Sequence, residues 1–198
     1  MKKKSIKKNQ DSVFERLHQA FTNGTFRGIC GEAKIWLIEK KLDAKVCGAG
    51  YNSNQFHTRN RELIPELLQT GFLWEKGQSK YDTKGYTSFG ARQVMFALKD
   101  ENNNVVNFCA VDMKTGKHSF LNAEGIYPGY PAEKTTRLFL VVSVMDAATI
   151  LCSGVLKEYD AVMAIGSQEL KEMHQEAIKR LPHLKDVYHI ISLKSLYQ

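Results

Sequence analysis

The sequence lacks the features that would place it in a membrane, outside the cell or around a zinc ion. It has no apolar run of about 18–20 residues, the length that a membrane helix needs. Its lysine-rich start is not followed by the apolar core of a signal peptide, so we expect a cytoplasmic protein without a membrane partner. No CxxC pair occurs among its four cysteines, which are Cys30, Cys47, Cys109 and Cys152. We therefore expect reduced structural thiols and no zinc.

Acidic residues are missing from the start of the sequence. The net charge of the 198 residues is +7, and the first ten residues, MKKKSIKKNQ, hold five lysines and no acid. The remaining residues therefore carry only +2. This distribution predicts a basic flexible arm over residues 1–11 on a nearly balanced body. Lys3 and Lys4 are candidates for phosphate contacts, and the alternative is a merely solvated tail.

Helical patterns dominate residues 12–72. Ser12 is placed to cap a helix through FERLHQAF, which the Asn23-Gly24 pair would end. A second helix is predicted over residues 31–42, and residues 46–60 are predicted to form a loop. The predicted apolar face of that second helix comprises Ile35, Ile38 and Leu42, and Trp36 and Leu37 widen it.

Strand patterns replace the helical ones from residue 73. The apolar runs RQVMFALKD and VVNFCAVDM flank the turn ENNN, and HSFLN is a candidate third strand, which together predict a β-meander within residues 73–132. Over residues 133–198, strands and helices alternate in LFLVVS, MDAATILCSG, DAVMAIG, SQELKEMHQEAIKRL and DVYHIIS. The alternation predicts a small parallel α/β unit with right-handed crossovers, so the whole chain is expected to be α+β.

Asp146 is a candidate metal ligand, because it directly follows the first strand of the α/β unit. Ligands of an open α/β sheet gather at the carboxyl ends of its strands, and a magnesium site usually needs two or more carboxylates. Partner carboxylates are missing: the second strand ends in AIGS, and no Asp or Glu follows Asp186. The other interpretation of Asp146 is that its charge stabilises a helix N-terminus, by about 0.3–1 kcal/mol.

Four segments in a fixed order resemble the catalytic core of bacterial-type DNA primases, most closely the short forms carried by mobile elements. They are RQVMFALKDENNNVVNFCAVDM, HSFLNAEGIYPGYP, LFLVVSVMDAATIL and AIGSQEL, and the resemblance extends over residues 28–192. It implies a β-rich primase-core domain followed by a TOPRIM-like unit, the metal-dependent fold shared with topoisomerases. It further implies single-stranded DNA as a partner, a role in replication beside a helicase or another replication protein, and Mg²⁺ as the cofactor of nucleotidyl transfer.

The sequence departs from the primase pattern at the positions that carry chemistry. A TOPRIM strand usually has a glutamate four residues before the aspartate that aligns with Asp146, and Val142 stands there. The second acidic motif, Asp-x-Asp, would fall at residues 192–196, where the sequence is SLKSL. A phosphate-contacting Gly-Gly-Arg is replaced by Cys-Ala-Val at residues 109–111. These departures predict impaired or lost nucleotidyl transfer.

The residues that the resemblance places on a nucleic-acid-facing surface lie in or beside the β-meander. They are Arg92, Lys99, Lys114, Lys117 and Asn122. The alternative for the cations is an ordinary solvated face, and for Asn122 a turn residue.

Three hypotheses follow from the sequence. The leading one is a primase-like TOPRIM-domain protein that binds single-stranded DNA without efficient catalysis. The second is an active metal-dependent primase that synthesises RNA primers. The third is a protein-binding module of a replication complex, in which aromatic side chains near Trp74, Tyr127 and Tyr130 would be the contacts. An unrelated enzyme that uses Ser167 or a cysteine has no readable nucleophile–base pair.

Overall fold

The computed structural model describes residues 12–26, 31–77, 85–166 and 169–190. The α-helices in these ranges are α1 Val13–Phe26, α2 Gly31–Glu39, α3 Ala44–Cys47, α4 Phe56–Arg59, α5 Ile64–Gln69, α6 Val144–Ser153 and α7 Glu172–Lys179. The strands are β1 Ala49–Asn52, β2 Leu73–Lys76, β3 Gly85–Ser88, β4 Gln93–Lys99, β5 Val105–Val111, β6 His118–Phe120, β7 Arg137–Val141, β8 Asp160–Ala164 and β9 Asp186–Ile190. None of the described helices is long and apolar enough to cross a membrane.

A four-stranded antiparallel sheet, the central sheet, has the order β1-β4-β5-β6. It confirms the meander predicted from the two apolar runs and HSFLN. Strands β4 and β5 are buried on both faces, so they read as continuous apolar runs rather than as alternating ones. One face, which includes Met95 and Phe108, packs against α1 and α5, and the other, which includes Phe96 and Cys109, packs towards α2, α3 and α6.

Helix α1 lies unusually close to β1, because Gly50 has no side chain. A Cβ at Gly50 would lie 2.6 Å from the backbone carbonyl carbon of Phe21, far inside contact distance. Leu17 and Phe21, one turn apart on α1, are buried in the cluster against this face. The glycine therefore sets the spacing between helix and sheet.

The second sheet, the parallel sheet, has the order β8-β7-β9. Helix α6 covers one face through Ala147 and Ala148, and α7 covers the other through Ala177. The β-α-β-α-β order confirms the predicted α/β unit, and with the central sheet it confirms the α+β fold class. Strands β2 and β3 form a separate two-stranded hairpin.

Several local predictions about the helices and their connections are wrong. Ser12 caps α1 as predicted, its hydroxyl accepting from the Glu15 amide at 3.2 Å, but α1 continues through Asn23 and Gly24 to Phe26. Gly24 keeps a helical backbone, and an αL glycine is what usually ends a helix. The predicted loop at residues 46–60 contains β1, which pairs with β4. Helix α7 begins at Glu172 with Lys171 as its N-cap, and Ser167, which the sequence pattern favours as a cap, lies outside the described residues.

Helix α2 buries only part of the predicted apolar face. Ile35 and Ile38 are 59% and 64% exposed, whereas Trp36 and Leu37 lie in the core. Apolar side chains surround this helix, so the spacing of three of them does not identify the buried face. Trp36 and Leu37 belong to the buried cluster that includes Phe96 and Cys109 of the central sheet, and burial in this cluster orients the helix.

Candidate nucleic-acid interface

Three of the predicted cations lie at one end of the central sheet. Arg92 precedes β4, and Lys114 and Lys117 lie in the turn between β5 and β6. The registers Val94–Val111 and Val111–His118 bring these two turns to the same end of the sheet. All three side chains are exposed, and we call this group of Arg92, Lys114 and Lys117 the basic end.

The turn that carries the two lysines is held by Asp112. Its carboxylate accepts from the amides of Lys114 at 2.9 Å and Thr115 at 2.8 Å, and from the Thr115 hydroxyl at 3.0 Å. The hydrogen bonds from Thr115, helped by the Lys114 charge, lower the pKa of Asp112. The lysine backbones are therefore fixed while their side chains extend into solvent.

Lys99 and Asn122 lie away from the basic end. Lys99 is the last residue of β4, at the opposite end of that strand from Arg92, and it is half-buried. Asn122 serves the backbone of its turn: its amide nitrogen donates to the Val106 carbonyl at 3.1 Å, and its oxygen accepts from the Glu124 amide at 2.8 Å. The predicted nucleic-acid-facing residues are therefore not all together: Lys99 and Asn122 do not belong to the basic end. Lys3 and Lys4 lie outside the described residues.

A cavity of about 340 Å³, the α1 pocket, adjoins the basic end. The Arg92 amide donates to the carbonyl of Asn52 at 2.6 Å, and Asn52 lines this pocket. Its walls are the polar side of α1, β1 and the segment from Ser53 to Asn60. The lining side chains that can contact a ligand include Arg16, Gln19, Asn23, Tyr51, Phe56 and Arg59.

A buried polar network fixes the wall of the α1 pocket. The Asn52 amide donates to the Ser88 hydroxyl at 2.9 Å and to the Phe89 carbonyl at 2.8 Å, while its oxygen accepts from the Asn54 amide at 2.9 Å. Ser88 in turn donates from its backbone amide and its hydroxyl to the Asn54 side chain. Asn54 has a φ of 62°, a left-handed conformation that asparagine tolerates better than most residues. The network therefore holds the loop in one conformation.

The arginines of the α1 pocket differ in their surroundings. Arg16 donates to the Asn60 side chain and to Glu62, each at 3.2 Å, which closes one side of the pocket. Arg59, on α4, is exposed at the rim. The residues of this pocket were missed by the sequence analysis, because Arg16, Gln19 and Asn23 repeat at the spacing of an ordinary solvated helix face.

A second cavity, of about 220 Å³, lies between the central sheet and the carboxyl ends of β7 and β8. We call it the interface pocket, and its lining includes Asn122, Glu124, Val144, Gly166, Lys171 and His174. His174 is buried, and its Nδ1 accepts from the Lys171 amide at 3.1 Å. Burial, with a smaller effect of the Lys171 charge, lowers the pKa of His174 to about 4, so the imidazole is neutral at pH 7.

Asp146 lies in the first turn of α6, beside this pocket. Ser143 is the N-cap: its hydroxyl accepts from the Asp146 amide at 3.0 Å and donates to the Asp146 carboxylate at 2.7 Å. His118, next to the basic end, feels the Asp146 charge, which opposes the larger effect of burial on its pKa. Burial wins, so the pKa of His118 is lowered. The geometry of Asp146 is that of a helix-capping residue.

The residues around Asp146 do not fit a TOPRIM magnesium site. Within the described ranges, no three His, Cys, Asp or Glu side chains are grouped so that they could hold a metal ion. Val142 follows β7, and its carbonyl accepts from the Gly166 amide at 2.9 Å, so an aliphatic side chain occupies the position of the expected glutamate. Of the described residues at the positions aligned with the TOPRIM acids, only Asp146 carries a carboxylate, and it already accepts a hydrogen bond from Ser143.

One predicted contact aromatic is not available for contact. Tyr127 is buried, and its hydroxyl donates to the Cys47 carbonyl at 2.7 Å. Trp74 is 47% exposed and Tyr130 is half-buried. Tyr127 is therefore a structural residue that ties the chain after the meander to α3, which corrects its assignment to a partner surface.

Comparison with solved structures identifies the fold. The DnaG primase catalytic domain bound to single-stranded DNA matches 89% of this chain with a TM-score of 0.69 and 18% identity, over 58% of its own length. The RNA polymerase domain of Mycobacterium tuberculosis primase DnaG matches 89% with a TM-score of 0.68 and 14% identity, over 64% of its length. The Aquifex aeolicus primase, with zinc-binding and RNA polymerase domains, matches 90% with a TM-score of 0.69 and 18% identity, over 46% of its length.

These likenesses establish that the chain has the fold of the primase catalytic core, as the four sequence segments led us to expect. The chain spans about three fifths of the catalytic domain that was solved with single-stranded DNA. No family model matches the sequence. No curated protein matches it either. The comparisons with solved structures therefore establish the fold, and function has to be argued from the residues.

Proposed function

We propose that this chain binds single-stranded DNA along the basic end and in the α1 pocket, and does not transfer nucleotides. The observation that carries the proposal is that the basic end and the α1 pocket adjoin each other. Arg92 belongs to the basic end, and its amide is bonded to Asn52 in the pocket wall. A strand whose phosphates lie on the cations can therefore place a neighbouring base in the pocket.

The chemistry of both features suits a single strand. Lysine and arginine neutralise phosphates, and aromatic faces stack on unpaired bases of any sequence. Tyr51 and Phe56 supply aromatic rings in the α1 pocket, and Arg16 and Arg59 supply cations beside them. The volume of about 340 Å³ lies at the lower end of small-ligand sites, which suits one nucleotide rather than a duplex. A solved primase domain of the same fold is bound to single-stranded DNA, which supports this partner.

We propose the absence of catalysis because the carboxylates of a magnesium site are missing from the aligned positions. Phosphoryl transfer by primase-type enzymes needs magnesium ions held by several carboxylates. Asp146 is the one residue of the proposed metal site that remains, with Val142 in place of its partner and no Asp or Glu after residue 186. We therefore propose that Mg²⁺ is not a cofactor of this chain. Magnesium-dependent primer synthesis by the purified protein would instead establish the alternative, an active primase.

The cellular setting is proposed on the resemblance to short mobile-element primases. It comprises a cytoplasmic location, a role in replication of a mobile element, and contact with a replicative helicase or another replication protein. Capture of such a helicase in the absence of nucleic acid would support the protein-binding alternative.

The test is fluorescence anisotropy of a labelled single-stranded oligonucleotide at several salt concentrations. We compare the full chain, a chain without residues 1–10, and the triple variant Arg92→Gln, Lys114→Gln, Lys117→Gln. Each phosphate contact contributes about 0.7 to the slope of log K against log[salt] for single strands, so the triple variant should lower the magnitude of that slope by about 2. Lys185→Gln is the matched control, because Lys185 is exposed beside β9, at the amino edge of the parallel sheet.

Binding that survives deletion of the arm and falls in the triple variant is the expected result. Binding that disappears with residues 1–10 and is unchanged in the triple variant would overturn the proposal. Phe56→Ala separates the two features: it should weaken binding at every salt concentration without changing the slope, since it removes stacking rather than a phosphate contact.

A further inference from the structure

Two cysteines that are far apart in the sequence meet in the fold. Cys47 ends α3 and is buried, and Cys152 lies near the end of α6 and is half-buried. The Cys152 sulfur accepts from the Asp43 amide at 3.3 Å and lies 3.6 Å from the Asp43 carbonyl oxygen. The Cys47 amide donates to that same carbonyl at 3.0 Å. The two cysteines therefore meet at the backbone of Asp43, and the neighbouring Cys152 thiol adds to the effect of burial in raising the pKa of Cys47.

This meeting point lies between the central sheet and the parallel sheet. Helix α3 leads directly into β1 of the central sheet, whereas α6 is the crossover helix of the parallel sheet. The Tyr127 hydroxyl, bonded to the Cys47 carbonyl at 2.7 Å, holds the Cys47 backbone in place. A covalent bond between the sulfurs would therefore tie the central sheet to the unit that carries Asp146.

We propose that Cys47 and Cys152 form a reversible disulfide, and that the pair is a site of oxidation by a hydroperoxide. Cys152 is the more accessible thiol, so its sulfur attacks the peroxide oxygen, and the O–O bond breaks to leave a sulfenic acid and water. The Cys47 sulfur then attacks the Cys152 sulfur, the S–O bond breaks, and the hydroxyl leaves as water with the Cys47 proton. Two thiols and one hydrogen peroxide thus give one disulfide and two waters.

Cys109 is an internal comparison for this pair. Burial raises the pKa of both Cys47 and Cys109 to about 12, so neither thiol reacts readily on its own. Cys109 lies inside β5, where its sulfur is 4.0 Å from the Ala110 carbonyl. What distinguishes Cys47 is that its amide and the Cys152 sulfur share the Asp43 carbonyl, so a second thiol lies beside it.

The experiment treats the folded full chain with hydrogen peroxide and maps its peptides without reduction. The expected product is a peptide linking residues 47 and 152, with a mass about 2 Da below the sum of its reduced halves, that dithiothreitol separates. The link should be absent from Cys152→Ser and from Cys47→Ala, and it should persist in Cys109→Ala and Cys30→Ser. Melting curves of each variant show whether it is folded before oxidation.

Two outcomes would overturn the proposal. One is conversion of Cys152 to sulfinic or sulfonic acid in the wild-type chain with no linked peptide. The other is a link that joins Cys152 to Cys30 in place of Cys47. If Cys47→Ala does not fold, Cys47→Val and Cys152→Ala provide the same comparison with apolar side chains of different size.

Discussion

Arg92 combines an exposed guanidinium with a backbone that arginine disfavours. Its φ is 61°, in the left-handed region, where a Cβ meets the following carbonyl. The position is set by the turn before β4, and the amide of Arg92 is used in the bond to Asn52. The structure therefore accepts local strain at a residue whose charge is part of the basic end.

We expect Arg92→Gly to be more stable than the wild type and to bind single-stranded DNA less tightly. Relief of the left-handed strain outweighs the extra freedom of glycine in the unfolded chain, for a gain of about 0.5–1 kcal/mol. Lys41→Gly is the matched control, because Lys41 has a φ of 56°, carries the same charge and lies at the end of α2. Urea unfolding and anisotropy measure both effects. Equal loss of affinity in the two variants would contradict a specific role for Arg92.

His174 makes stability depend on pH. Its pKa is about 4 in the folded protein, below the ordinary histidine value of 6.5, because burial disfavours the charged ring. Between pH 6.5 and about 4 the unfolded chain therefore binds a proton that the folded chain does not. Stability decreases as the pH falls through this window, and the loss is complete below it.

We expect His174→Asn to remove this part of the pH dependence. Asparagine can still accept from the Lys171 amide through its side-chain oxygen, and it does not titrate. The melting temperatures of wild type and variant should converge as the pH is lowered from 7 to 4. The comparison isolates His174 from His18, His57 and His118, whose pKa values burial also lowers. Parallel curves for the two proteins would show that His174 is not responsible.

Among the secondary-structure elements, helix α6 distinguishes two roles of Asp146. Helix capping and metal binding require different orientations of its carboxylate. Ser143 and Asp146 bond to each other and satisfy the first turn of the helix. A metal ligand would have to turn its carboxylate away from that bond. The hydrogen bonds between Ser143 and Asp146 therefore stabilise the start of α6 and keep the Asp146 carboxylate engaged.

We expect Ser143→Ala to lower the free energy of unfolding by about 1 kcal/mol, the usual cost of losing an N-cap. Asp146→Asn should cost less, about 0.3–1 kcal/mol, because it removes the charge and leaves an acceptor for the Ser143 hydroxyl. Neither substitution should change DNA affinity in the presence of Mg²⁺ or of EDTA. A loss of affinity in Asp146→Asn that occurs only with Mg²⁺ would establish Asp146 as a ligand.

For the whole molecule, the proposed absence of a magnesium site has a thermodynamic consequence. A ligand that binds only the folded state raises its stability by RT ln(1 + [L]/Kd). We expect millimolar MgCl₂ to leave the melting temperature of the chain unchanged relative to NaCl at the same ionic strength. A rise of several degrees in the melting temperature with MgCl₂, abolished by Asp146→Asn, would contradict the proposal. It would support the alternative of an active primase.

Elements with strong local signals could be predicted from the order of residues. The parallel unit of β7, α6, β8, α7 and β9 follows from apolar strand patterns that alternate with amphipathic helices, and the β-meander follows from two apolar runs around a polar turn. The α+β class was predictable for this reason, and the primase-type fold was predictable from the resemblance of four segments to primase cores. The loss of a carboxylate at residue 142 was also predictable, because the side chain of Val142 cannot bind a metal ion.

Tertiary structure alone decided which distant residues meet. Strand β1 forms because β4 supplies its hydrogen-bond partners, and the orientation of α2 is set by the surface that receives Trp36. The α1 pocket and the meeting of Cys47 and Cys152 at the Asp43 backbone likewise join segments that have no common local pattern. Periodicity reports only neighbours within a few residues, whereas these features depend on how complete elements pack, which no local pattern encodes.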